Sequence, residues 1–354
     1  MTRWVAGIDA GGTKTTAVLL DVDGHGAGVG RGGPANAVFV PRATAVESLR
    51  HAILEAAQGA TAPSAPSGPV ESSGGFGLAA IRAGMPGPPG VLEEVVNGLP
   101  FAVGSALNLG EDLTSLVGAR LTESGVIVVA GTGSRAAAIT VDGRHFTAGG
   151  WGSVFSDEGS AYAIGAAALS AALKDAEGRG PATVLGERIR EAWRLDTLRG
   201  VVSRVYGAPD RRGVVASLGP IVAAAAAAGD EMARAILAAA ARDLAELAAA
   251  VVRKAGREAL GTPAEVFGVG GAFRAGPALT APLEAHLVSL IGPVRLRRPR
   301  LEPAVGAALL AAKAAGGSWT GDLVAAVERL AQVHGLVPDW PEPPPAFAPG
   351  AFML

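Results

Sequence analysis

The 354-residue chain contains no cysteine. That absence removes disulfides, thiolate zinc sites, iron–sulfur ligation and a cysteine nucleophile together. Aromatic residues are scarce at 5%, and charge nearly cancels, with 30 Lys and Arg against 32 Asp and Glu for a net charge of −2. Nucleic-acid binding calls for a basic footprint, and the one local basic run, RLRRPR at 295–300, reads as a solvated loop or strand edge. The five histidines are scattered without metal-ligand spacing. Hydrophobic residues make up 49%, but the alanine-rich stretches are broken by Asp, Glu or Arg, and none reaches the roughly 18 apolar residues of a membrane span. The opening MTRWVAGIDAGG reaches a glycine turn too early for a signal peptide, so a cytoplasmic location is expected.

What the chain has in quantity is glycine, 51 residues, and several of these fall at regular places between apolar runs. In VAGIDAGGTKTTAVLLDVDG (5–24) an apolar run ends at Asp9, turns through Gly11, Gly12, Thr13 and Lys14, and resumes at Thr15. A glycine-rich turn lets backbone N–H groups converge on an anionic oxygen, and the hydroxyls of Thr13 and Thr15 add donors. A P-loop needs G-x-x-x-x-G-K-[ST] opening a helix. Here Thr13 separates Gly12 from Lys14 and a β-branched strand follows, so neither that motif nor the dinucleotide fingerprint fits.

The length exceeds that at which one core usually stops growing, so two domains are expected. Three short strands, a helical pattern at 42–58, and alternating strands and helices up to a helix starting near Asp112 form an α/β domain over 1–119. Residues 59–75, rich in Pro, Ser, Gly and Ala, read as a surface loop. A second domain over 120–317 starts the pattern again: GVIVVAGTGSRAAAITVDGRHFTAGG (125–150) has a strand, a turn through Gly131, Thr132, Gly133 and Ser134, a second strand, an Asp-Gly turn and a third strand. Residues 216–256 read as two helices parted at Gly229-Asp230. Over 318–354 an amphipathic helix leads to a Pro-rich tail, a candidate for packing back on the N-terminal domain or for self-association into a homodimer.

Five segments, GIDAGGTKTTAVLLDVDG, NLGEDLTSLVGA, GVIVVAGTGS, GGWGSVFSDEGSAYAIG and VFGVGGAFRAG, occur in an order and at spacings that resemble N-acetylglucosamine kinases. These belong to the BadF/BadG/BcrA/BcrD ATPase group of the actin-like, hexokinase-like superfamily. The resemblance runs from about residue 4 to about 312. It implies two actin-like, ribonuclease H-like domains with ATP and sugar in a cleft between them. Asp9, Gly11, Gly12, Thr13, Lys14 and Thr15 match the first phosphate motif, with Asp9 organising Mg²⁺ through water. Gly131, Thr132, Gly133 and Ser134 match the second, and Gly268, Gly270, Gly271 and Ala272 the adenosine motif. Asp112 aligns with the catalytic aspartate, Asn36 with an asparagine that contacts sugar hydroxyls, and Gly150, Trp151 and Asp157 with the rest of the sugar wall.

Phosphoryl transfer needs charge neutralisation, in-line positioning and a carboxylate to take the hydroxyl proton. At a helix start Asp112 sits where the helix dipole favours negative charge, although an ordinary N-cap would look the same and Glu111 is its neighbour. The expected activity is ATP-dependent phosphorylation of the 6-hydroxyl of an amino sugar, foremost N-acetylglucosamine, with Asp112 as base. Glucosamine, N-acetylmuramic acid and glucose are alternative acceptors, and a BadF-type ATPase without sugar kinase activity is the alternative class. Dehydratase activators of that class use cysteine-bound clusters, which this chain cannot form. The chain departs from the family pattern at Ala80 and Ile81, near the expected sugar, at Ser156 before Asp157, and at Ala37 and Val38 after the sugar asparagine. These bear on the acceptor and leave the phosphate motifs intact.

Overall fold

The computed structural model describes residues 3–60 and 76–342. Most of the expected surface loop, from residue 61, and the tail from 343 lie outside the described residues. Strands β1 (Trp4–Ala10), β2 (Thr15–Asp21) and β3 (Ala27–Gly32) are followed by α1 (Arg42–Gln58), β4 (Gly77–Gly84), α2 (Val91–Asn97), β5 (Ala102–Val103), β6 (Ala106–Asn108) and α3 (Glu111–Arg120). The pattern restarts with β7 (Gly125–Ala130), β8 (Ser134–Ile139) and β9 (His145–Gly149). Helices α4 (Ala161–Ala176), α5 (Leu185–Ala192), α6 (Val201–Tyr206), α7 (Arg211–Ala216), α8 (Gly219–Ala227) and α9 (Glu231–Ala255) come next. Then follow β10 (Glu265–Val269), α10 (Pro277–Ile291), β11 (Arg295–Arg297), α11 (Pro303–Ala314) and α12 (Gly321–Val333).

The two sheets share one plan. The first runs β3-β2-β1-β4-β5, with β6 also on β4, and the second β9-β8-β7-β10-β11. In each, the first three strands form an antiparallel meander and the fourth runs parallel to the first. The strand-turn grammar read twice from the sequence is therefore a repeated topology.

The described residues divide into two compact units, 3–60 and 76–123 with Pro299–Pro338, and Ser124–Arg298 with 339–342. This differs from the sequence expectation of 1–119, 120–317 and 318–354, because α11 and α12 group with the first unit. The reason lies in the first sheet. Both faces of β1 and β2 are buried, so each needs a covering layer. On one side Gly28, Gly30 and Gly32, alternate residues of β3, meet α1, and a Cβ at Gly30 would lie 2.0 Å from the Ala52 carbonyl oxygen. On the other, Gly7 meets α11, where a Cβ would lie 2.0 Å from the Ala308 nitrogen. Helix backbone in direct contact with strand backbone leaves no room to adjust. Gly7→Ala is expected to cost more than about 3 kcal/mol or to abolish soluble expression, read by circular dichroism melts.

Ala80 and Ile81, expected near the sugar, are instead core residues in mid-strand β4, at 1% and 0% exposure. Their side chains point to opposite, covered faces, so they neither shrink a pocket nor remove a ligand partner. In the second unit the break at Gly229-Asp230 separates α8 from α9, where Asp230 caps α9 by accepting the Ala233 N–H at 2.8 Å. No helix among the described residues is long and apolar enough to cross a membrane.

Candidate active site

In the first unit the chemistry-bearing residues gather at the carboxyl ends of β1, β4 and β6. Asp9 is the penultimate residue of β1 and pairs with Gly84 on the parallel β4 and with Thr16 on the antiparallel β2. Residues directly opposite on antiparallel strands share a face, so Asp9 and Thr16 point the same way. Gly7, two residues before Asp9, faces α11, which puts Asp9 on that face too. Glu302 caps α11 there, and Lys14 reaches it at 3.8 Å. Burial pushes the Asp9 carboxyl up to about 6; Lys14 pulls it down and Glu302 adds to the rise. The Thr16 hydroxyl, 1% exposed, has no hydrogen-bond partner.

The turn itself is closed by Gly11 N–H donating to Lys14 O at 2.9 Å. The Gly11 carbonyl in turn accepts the N–H groups of Ala35 and Asn36, which fixes the Asn36 loop to the turn. Asn36 Oδ1 accepts from Val38 N–H at 3.0 Å, and the amide N–H groups are the donors of that side chain. Thr15 is fully buried and its hydroxyl donates to Gly33 O at 2.9 Å. That hydroxyl ties the turn to the end of β3, while Thr13 and Lys14 are exposed.

Asp112 is 3% exposed and lies in the first turn of α3, whose N-cap is Gly110 at φ +80°. The N-cap reading of Asp112 is thus set aside. Asn108, which sequence reasoning missed, braces this approach: its side chain donates to Met85 O at 2.9 Å and accepts from Met85 N–H and Gly110 N–H. Gly84 abuts Thr114 of α3, where a Cβ would lie 2.1 Å from Oγ1.

The second unit repeats the scheme at the ends of β7 and β10. Gly131 N–H donates to Gly133 O, while Gly131 O accepts from Ala161 at the start of α4. Ser134 O accepts the Gly150 N–H, and Ser134 Oγ donates to Glu158 O at 2.6 Å. Asp157 is 2% exposed and held at φ +69°. Its Oδ1 accepts the Ser134 N–H at 3.2 Å and its Oδ2 pairs with Arg212 at 2.6 Å. A Cβ on Gly133 would strike it at 2.8 Å. Asp157, expected on the sugar wall, here braces the second turn, and its partner Arg212 on α7 was invisible to motif reading. Ser156 donates to the Glu158 carboxylate at 2.9 Å. Trp151 is 78% exposed. Gly270, at φ +114°, leaves only 2.5 Å between a Cβ and Ala130 O, so Gly270, Gly271 and Ala272 lie beside the second turn. Ser217, at the end of α7, donates to Val214 O.

The turn glycines themselves are unlike those of the sheets. None of Gly11, Gly12, Gly131 and Gly133 adopts the left-handed backbone, and a Cβ at Gly12 or Gly131 would meet nothing within 4 Å. Nothing in the protein demands glycine at these two places.

The profile of the BadF/BadG/BcrA/BcrD ATPase family matches residues 6–311. An N-acetylmuramic acid/N-acetylglucosamine kinase of Clostridium acetobutylicum is 29% identical over 242 residues, covering 68% of this chain and 77% of that one. Among solved structures, a candidate N-acetylglucosamine kinase of Chromobacterium violaceum is 27% identical with a TM-score of 0.65, covering 88% of this chain and 99% of that one. A ROK family glucokinase of Streptomyces griseus, solved with glucose and AMPPNP, shares the fold at 15% identity with a TM-score of 0.50, covering 87% and 97%. The two-sheet α/β architecture is that of the actin-like kinases.

Proposed function

The chain belongs to the BadF/BadG/BcrA/BcrD ATPase family, and from that premise we propose that it is an ATP-dependent sugar kinase acting on the 6-hydroxyl of an amino sugar, N-acetylglucosamine first and N-acetylmuramic acid second. The observation that carries the reading is the pair of open turns. Gly12 and Gly131 occupy equivalent hairpins, no neighbour or backbone angle requires glycine there, and a phosphate oxygen approaching the N–H groups does.

In this reading the first turn, with Thr13 and Lys14, and the second turn are each built to take phosphate oxygens, and in the second unit Gly270, Gly271 and Ala272 accommodate the nucleoside. Among the described residues no group of three or more His, Asp or Glu is placed to hold a metal by itself. The donors at β1 nonetheless suit Mg²⁺: they are hard oxygens, the carboxylates of Asp9 and Glu302 lie near one another, and the Thr16 hydroxyl is buried without a partner. Asp9, Glu302 and Thr16 would hold the ion through its waters, and when bound it supplies neutralisation of the phosphate charge. Lys14, which faces Glu302, is positioned to exchange that carboxylate for phosphate oxygens. Asn36 orients the sugar through its amide donors, Asp157 and Arg212 keep the second turn in shape, and Asp112 takes the hydroxyl proton as the phosphoryl group leaves ADP.

The direct test is ADP release from Mg-ATP by the purified chain with N-acetylglucosamine, N-acetylmuramic acid, glucosamine or glucose, with the phosphate located on the product by NMR. Release that depends on an amino sugar and places phosphate on C6 is expected. The same release with no sugar present would sink the proposal in favour of a plain ATPase. The turns give a second check: Gly12→Ala and Gly131→Ala should melt like the native protein yet raise KM for ATP by about tenfold or more.

A further inference from the structure

Residues 339–342 are a segment of the second unit without helix or strand, whose purpose no motif announces. Asp339 pairs with Arg274 at 2.8 Å. Glu342 pairs with Arg297 at 2.8 Å and also accepts the Arg298 N–H at 3.1 Å. The Trp340 carbonyl accepts from the Arg298 guanidinium at 3.3 Å. Between these polar ties Trp340 is 2% exposed, and its ring stacks on Phe273, with centroids 5.2 Å apart and planes at 24°.

Phe273 follows directly on Gly270, Gly271 and Ala272. It is fully buried and lies under Gly268, where a Cβ would come within 2.5 Å of the phenyl ring. The loop from Gly268 to Ala272 is therefore fixed at two points: Gly270 against the end of β7, and Gly268 against Phe273. The second point is only as firm as whatever holds Phe273, and one face of that ring is held by Trp340. The indole N–H of Trp340 is buried and has no acceptor. A buried donor without a partner is a cost, so the indole is retained at this position for its aromatic face and not for its polar handle.

We propose that residues 339–342 form a strap that sets the shape of the nucleoside-binding loop, with Trp340 as a positioning residue for ATP acting through Phe273. The inference rests on the assignment of Gly270, Gly271 and Ala272 to the nucleoside. It follows that loosening the strap weakens nucleotide binding and leaves the acceptor alone. It also follows that an aromatic ring at 340 suffices.

The experiment is titration of the full chain with Mg-ADP by calorimetry, alongside KM for ATP and for the sugar. Trp340→Ala should weaken ADP by about tenfold and raise KM for ATP in step, with KM for the sugar within about threefold of native. Trp340→Phe, which keeps a ring on Phe273 and removes the orphaned N–H, should restore binding to within about threefold of native. Glu342→Gln, a surface change that loosens the strap without opening the core, should weaken ADP by about threefold and decides the matter if Trp340→Ala does not fold. The strap inference is overturned if Trp340→Ala, or failing that Glu342→Gln, binds ADP as the native chain does. It is overturned equally if Trp340→Phe is as impaired as Trp340→Ala, or if ATP and sugar constants rise together. Failure of the native chain to bind ADP at all would instead bring down the proposed function.

Discussion

Asp112→Asn is expected to lower sugar-dependent ADP release by roughly a hundred- to ten-thousand-fold, with KM for ATP changed little. The size follows from the role: a positioned base that takes the hydroxyl proton contributes on that order, and asparagine keeps the shape while losing the proton acceptor. The proposed base is Asp112 and not its neighbour Glu111. Asp112 is 3% exposed in the first turn of α3, where the helix dipole favours negative charge, and Gly110 already provides the N-cap. Asn108 and Gly84 brace the approach to that helix, so the carboxylate is held by its surroundings and is not a mobile surface acid. A companion Glu111→Gln should stay within about tenfold of native. The assignment would be reversed if the Glu111 variant were the inactive one, and abandoned if Asp112→Asn retained native turnover. Steady-state kinetics with saturating Mg-ATP read the difference.

Asp9→Asn is expected to do two opposite things: abolish turnover with Mg-ATP, and make the free protein more stable. The second effect comes from the cost of the native charge. Asp9 is raised from 3.8 to about 6, chiefly by burial. A folded-state value above the unfolded one means that the native state favours the protonated acid. The penalty for ionised Asp9 is therefore absent below about pH 4, grows as pH rises towards 6, and is full above that, at about 3 kcal/mol. Asparagine carries no such penalty. The variant should melt several degrees above the native chain at pH 7.5, with the gap closing as pH approaches 4. Adding Mg-ATP should raise the native melting temperature and leave that of the variant unmoved. A variant less stable than native at pH 7.5 would show that Asp9 holds the fold together and is not a charge kept at a cost for binding.

The local features of this fold were readable because they are made by neighbours in sequence. Gly11 and Gly12 between two apolar runs announce a hairpin, GTGS announces its repeat, and Gly229-Asp230 announces the break before a capped helix. What escaped reading depends on distant partners. Glu302 becomes part of the Asp9 neighbourhood only because α11 crosses β1. Arg212 meets Asp157 only because α7 lies near the second turn, and Trp340 meets Phe273 across a span of chain with no pattern. Asn108 does its bracing through its side chain at the end of a three-residue strand, too short to show a period. The misplacement of Ala80 and Ile81 has a related cause. A family pattern places residues by order along the chain, whereas a strand sends neighbours to opposite faces, and here both faces are covered. Thr15 illustrates the same limit at the smallest scale, since only the position of Gly33 shows that its hydroxyl is already engaged.

The grouping of α11 and α12 with the first unit has a consequence for how the chain is made. On the ribosome, residues 4–120 emerge before the second sheet, with the α1 face of their sheet covered and the other face, Val5, Gly7, Val18 and Leu20, bare. The helix that covers it is encoded almost two hundred residues later, after the whole second sheet has been synthesised. The second unit's sheet and helices are complete first, and the amino-terminal one waits, exposed, for its last layer. A fragment ending at Glu123 should therefore aggregate, and nonsense or frameshift lesions anywhere before residue 314 should leave no usable amino-terminal half.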